Sequence, residues 1–89
     1  MRIIEVAKVY VRPSEPKTRH IRSGIDVSAE IETLKIAQFE GDPGFYLLYL
    51  DRNARELNDT YHESRALARE QAQFEFGVKD EDWQLAEAQ

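Results

Sequence analysis

The sequence contains no cysteine, and that one absence removes disulfides, thiolate zinc sites and thiol nucleophiles together. Glycine and proline number only four and three, too few for a collagen-like or low-complexity chain. No apolar run approaches the ~18 residues that would cross a bilayer. The opening Met1-Arg2-Ile3-Ile4-Glu5-Val6 lacks the basic start and long uncharged stretch of a secretory leader. The expectation is a soluble, cytoplasmic protein with no membrane partner.

What is present fits one core. A chain of 89 residues buries only ~60 to 65% of its unfolded surface, which leaves nothing for a second core, so residues 1–89 read as a single domain. Hydrophobic residues at 42% with charged residues at 33% exclude wholesale disorder. The net charge of −5 is unevenly placed: residues 1–22 carry six basic against two acidic side chains, a net of +4, which leaves −9 for the remainder. Such a dipolar distribution orients a charged partner, within the ~8 Å that physiological salt leaves unscreened.

Hydrophobic period and turn chemistry divide the chain. Ile3 to Val11 is rich in β-branched residues and ends at Arg12-Pro13, so it reads as a strand with both faces partly covered. Residues 12–24, with two prolines, a glycine and mostly polar or basic side chains, read as a flexible basic loop. Ile25, Val27, Ala29 and Ile31 alternate with polar residues, the period-two signal of a strand, and the phase slip at Thr33-Leu34 suggests a bulge. A helix capped by Ser28 and ended by Gly41 is the rival for this segment, and the β-branched residues favour the strand.

Glu40-Gly41-Asp42-Pro43-Gly44 is a turn by chemistry. The aromatic run Phe45 to Leu50 forms the strongest strand, Asp51 to Arg55 reverses the chain, and Leu57 to His62 returns as a more polar strand near an edge. Ser64 then caps a helix through Phe76 that Gly77 stops. Ala68, Ala72 and Phe76 form its sheet-facing stripe with Leu67, Phe74 and Val78 beside it. Asp80 caps one last turn that tucks Trp83 in, and residues 84–89 are expected to fray. The predicted fold is α+β: an antiparallel sheet of about four strands with one C-terminal amphipathic helix packed on one face.

Candidate functional residues are few. His62 titrates near neutrality and has Asp59, Thr60 and Glu63 close in sequence, a general base or ligand in one reading and a packed junction histidine in the other. Glu75 falls between Phe74 and Phe76 near the sheet-facing stripe; a carboxylate there either reaches solvent at the margin or needs a cation or several donors. Tyr46, Tyr49 and Tyr61 must divide between the faces of the sheet, one set making core and the other free to form a protein-binding patch or a second covered face. Arg19 and Arg22 belong to the basic 12–22 loop, which matches a phosphate-contacting arm in charge alone, without interleaved aromatics for base stacking. Two histidines and scattered carboxylates offer no metal-binding pattern, and no phosphate loop or nucleophile elbow is present, so neither metal nor cofactor is expected.

The segments Gly41-Asp42-Pro43-Gly44-Phe45-Tyr46-Leu47-Leu48-Tyr49-Leu50-Asp51, Asp59-Thr60-Tyr61-His62 and Phe74-Glu75-Phe76-Gly77-Val78 with Trp83 resemble a group of short bacterial proteins of unknown function. The likeness covers about the C-terminal half and implies no activity, cofactor or partner. Arg65, Ala54 and Asp80 depart from its pattern, where leucine, glycine and proline are usual. The functional expectation is a small interaction protein binding another protein or itself, in the manner of a toxin-neutralising immunity protein. A nucleic-acid module using the basic loop is the alternative, and a small-molecule enzyme around His62 comes third.

Overall fold

The computed structural model describes residues 2–8 and 19–86. In chain order these form β1 (Arg2–Lys8), β2 (Ile21–Arg22), β3 (Ile25–Asp26), a 3-10 turn (Ser28–Glu30), β4 (Thr33–Gln38), β5 (Phe45–Leu50), β6 (Glu56–His62), α1 (Arg65–Phe76), a second 3-10 turn (Asp80–Asp82) and β7 (Gln84–Leu85). Five strands make one antiparallel sheet in the order β6-β5-β4-β1-β7, and β2 and β3 make a separate two-stranded ribbon. The fold is α+β, with α1 packed on one face of the sheet.

The β5–β6 hairpin forms where turn chemistry places it. The Asp51 carboxylate accepts from the backbone N–H groups of Asn53 and Arg55, both at 2.9 Å, and Ala54 takes up a positive φ of 62°. Before β5, the Asp42 carboxylate accepts from Gly44 N–H at 2.9 Å. Gly44 is fixed by what lies over it: a Cβ there would fall 2.0 Å from the Tyr61 hydroxyl oxygen. α1 starts where Ser64 Oγ accepts from Leu67 N–H at 3.1 Å and ends at Gly77 in the left-handed conformation, with Val78 buried behind it.

Alternation along β4 and β5 creates two apolar layers. Leu34, Ile36, Leu47 and Tyr49 face α1 and pack with Ala7, Leu57, Ala68, Ala72, Val78 and Trp83. Ala37, Leu48 and Leu50 are buried on the opposite face, with Ile3 and Tyr46 against them. The tyrosines therefore divide as period two requires, Tyr49 into the core beneath α1 and Tyr46 to the other side.

Four expectations need correction. The strand over Ile25 to Ile31 is broken after Asp26, because the Asp26 carboxylate accepts from Ser28 N–H at 3.0 Å and turns the chain into a 3-10 turn. The rival helix from Ser28 to Gly41 does not form either, since β4 occupies Thr33–Gln38. The 12–24 loop is ordered from Arg19 onward: His20 is buried, β2 pairs with β3, and only 12–18 lie outside the described residues, as do 9–11 of the first predicted strand. The tail is not frayed at Gln84–Leu85, which pair with Val6 and Glu5 as a fifth strand; residues 87–89 lie outside the description.

A further correction concerns α1 along its flank. Its buried residues are Ala68, Ala72 and Glu75, while Leu67 and Phe74 are 46% and 55% exposed. Leu67 and Phe74 stand on the exposed flank, whereas the predicted stripe of Ala68, Ala72 and Phe76 meets the core with the Glu75 carboxylate beside it. Glu75 is tolerated there because polar partners await it.

Candidate functional site

Glu75 ends a hydrogen-bond chain that runs through the core. His20 Nε2 lies 2.7 Å from Glu75 Oε1, and the Tyr49 hydroxyl donates to Glu75 Oε2 at 2.5 Å. Thr60 Oγ1 is 3.2 Å from the Tyr49 oxygen and 2.8 Å from His62 Nε2. On the far side, Asn58 Nδ2 meets His20 Nδ1 at 2.9 Å, and Ser28 Oγ accepts from His20 N–H at 2.8 Å.

The donors can be assigned. Asp59 N–H donates to Asn58 Oδ1 at 2.9 Å, so the Asn58 amide must present its nitrogen to His20 Nδ1, which accepts. His20 Nε2 then carries the proton and donates to Glu75. The Tyr49 proton is used on Glu75, so Thr60 donates to the Tyr49 oxygen and accepts from His62 Nε2–H. Every donor from both directions points toward one carboxylate, an arrangement in which each bond polarises the next.

Burial by itself would push the Glu75 carboxyl up; hydrogen bonds from His20, Tyr49 and Gln71 outweigh it and hold the group below its ordinary value. Burial and the bond to Glu75 push the Tyr49 phenol up. At the outer end, burial lowers the His62 imidazole, with the Glu75 charge opposing.

His20, Tyr49 and Glu75 are almost wholly enclosed, so these three side chains present no surface to a ligand. Tyr49 is accordingly corrected as a binding residue: it supports the site from beneath. His62, by contrast, lines a shallow groove with Tyr61, Glu63, Leu67, Glu70 and Phe74, between the β6 edge and the flank of α1. Thr60 and His62 share one face of β6, as period two predicts, and Asp59 and Tyr61 share the other.

On that other face Phe39, Tyr46 and Tyr61 form a row of edge-to-face rings with centroids 5.0 and 5.2 Å apart. The Tyr46 hydroxyl donates to Asp42 Oδ2 at 3.3 Å. The structure thus brings Tyr61 and His62 to the groove and places Tyr46 beside it in the ring row. Arg19 and Arg22 are exposed on the ribbon, where Arg22 Nη1 donates to the Glu56 carbonyl at 2.9 Å; Arg12 and Lys17 lie outside the described residues.

A second buried carboxylate, Glu5, ties β1 to α1. Arg69 grips both of its oxygens and Arg65 Nη2 donates to Oε1 at 2.8 Å. Burial raises this carboxyl and the two arginines outweigh it, so the net direction is down. Sequence reasoning missed Glu5, whose signal was a carboxylate two residues from Ala7 in an otherwise apolar strand, and it read His20 only as part of a basic loop.

Among the described residues no three histidine, cysteine or carboxylate side chains converge as metal ligands, and no helix is long and apolar enough to cross a membrane. The chain of bonds from His62 inward fixes one imidazole at the groove wall; the other groove residues supply carboxylates and apolar area. Comparison with protein-family models, curated proteins and solved structures finds no match to this chain.

Proposed function

We propose that the protein is a small interaction module whose contact surface is the edge of the sheet at β6 together with the flank of α1. The observation that carries this reading is the clustering of Tyr61, Leu67 and Phe74, each about half exposed, around the strand that ends the sheet among the described residues. Isolated exposed apolar residues need no explanation, whereas several side by side with a polar rim mark contact surfaces. The hydrogen-bond chain supports the reading in a different way: it holds β6, α1 and the ribbon to one another, so the groove walls are preorganised and binding orders little. An acidic body occupying a basic partner, as in immunity-type neutralisation, is one form such binding takes.

Site-specific photo-crosslinking tests the surface. With p-benzoylphenylalanine at Leu67, irradiation in native lysate should yield one dominant adduct, and the same group at exposed Ala29 should yield none. Equal labelling from both positions, or none from Leu67, overturns the assignment.

A further inference from the structure

This inference rests on the contact surface just assigned and names what occupies it. Among the described residues β6 pairs with β5 on one side and with no strand on the other. Asp59 N–H bonds to the Asn58 side chain, so the backbone of Asp59 is directed away from β5, and alternation directs that of Tyr61 the same way. Arg22 already uses this outward row where it donates to the Glu56 carbonyl. An extended chain laid along the distal half of β6 would find the Asp59 carbonyl and both backbone groups of Tyr61.

Side chains of such a strand alternate in what they meet. One set faces α1 and lies over Leu67 and Phe74, the apolar part of a groove whose remaining lining on that side is His62, Glu63, Glu70 and Gln71. The other set lies on the face that carries Asp59 and Tyr61, an exposed carboxylate beside an exposed ring, the pairing that suits a lysine or arginine. Glu63 and Glu70 add negative charge at the groove, and no lysine or arginine lines it among the described residues.

A second copy of this chain fits poorly, since antiparallel pairing centred on Asp59 sets two carboxylates opposite each other between bodies of charge −5. The geometry points to an extended segment of a different protein, alternating basic and apolar side chains, added antiparallel to β6 as a sixth strand. Backbone hydrogen bonds give the affinity, and the period-two pattern gives the selectivity.

The test uses fluorescence anisotropy of the full chain with three labelled peptides: Lys-Val-Lys-Ile-Lys-Val-Lys, the same residues in blocks, and the alternating peptide N-methylated at alternate residues. Saturable binding of the first and at least tenfold weaker binding of the other two is expected, with amide NMR shifts concentrated at residues 59–63. Asp59→Lys, a change at an exposed position, should weaken the alternating peptide by about the same factor. Equal affinity for all three peptides, shifts located elsewhere, or indifference to Asp59→Lys overturns the proposal. Specific crosslinking from Leu67 combined with no binding of the alternating peptide overturns the occupant and leaves the surface standing; failure of both overturns both.

Discussion

A buried carboxylate is costly unless it is fully bonded, and Glu75 receives bonds from His20, Tyr49 and Gln71. Removing it by Glu75→Ala strands two buried donors, so we expect a loss of about 3–5 kcal/mol in urea unfolding, a third or more of the stability of a typical small domain. Tyr49→Phe deletes one bond to a charged group and should cost about 1.5–3 kcal/mol. Because both changes act on the same bond, their effects should not add; a double mutant as unstable as the sum would mean that the bond contributes nothing. Ala54 gives a residue-scale prediction of opposite sign. At φ 62° its Cβ is strained, so Ala54→Gly should relieve ~1–2 kcal/mol of strain and return part of it as unfolded-chain entropy. A net gain of about 0.5–1 kcal/mol, seen as a rise of several degrees in Tm, is the expected result.

At the scale of elements, the glycine–tyrosine contact in the hairpin is the most exposed to test. Gly44→Ala places a methyl where the Tyr61 ring lies, so the ring must swing outward and lose its edge-to-face partner Tyr46, a cost of about 0.5–1.5 kcal/mol. Ring-proton NMR shifts of Tyr46 and Tyr61 should move together; if neither moves, the ring row is not the constraint on Gly44. The same hairpin, and the helix after it, were the elements most legible in the sequence, because their signals are local: turn residues at Asp51 and Asn53, a serine cap and a glycine stop. The elements misread depend on remote partners. A two-residue strand such as β7 exists only because β1 offers an open side, and the strand begun at Ile25 fails because Asp26 and His20 both bond to Ser28. The facing of α1 was legible, with Ala68, Ala72 and Phe76 against the core; what periodicity could not supply was the partner that makes burial of Glu75 tolerable, a histidine 55 positions earlier. For the candidate site, His62 and its Thr60 neighbour were visible from strand period alone; the groove was not, because it depends on where the flank of α1 lies beside β6.

The charged groups act in one direction on the molecule as a whole. Glu75 and Glu5 have folded values below their unfolded ones, so each contributes stability that is present above the unfolded value of ~4.3 and is lost as pH falls through the folded value. His62 is lowered by burial; its neutral form is favoured in the fold, and its contribution is present above ~6.5 and lost as pH falls through its own lower value. Tyr49 is raised, so its contribution is present below ~10 and is lost as pH rises beyond it. Together they give a plateau from about neutrality to pH 10, a first acid decline starting near 6.5 and a steeper one below about 4.5. Urea unfolding across this range should separate the steps by mutation. His62→Gln removes the upper decline and leaves the lower, whereas Glu75→Gln makes the lower one shallower, leaving the share of Glu5, while retaining a side chain that can still accept one bond. An upper step that persists in His62→Gln would assign it to another group and detach the groove imidazole from the buried chain.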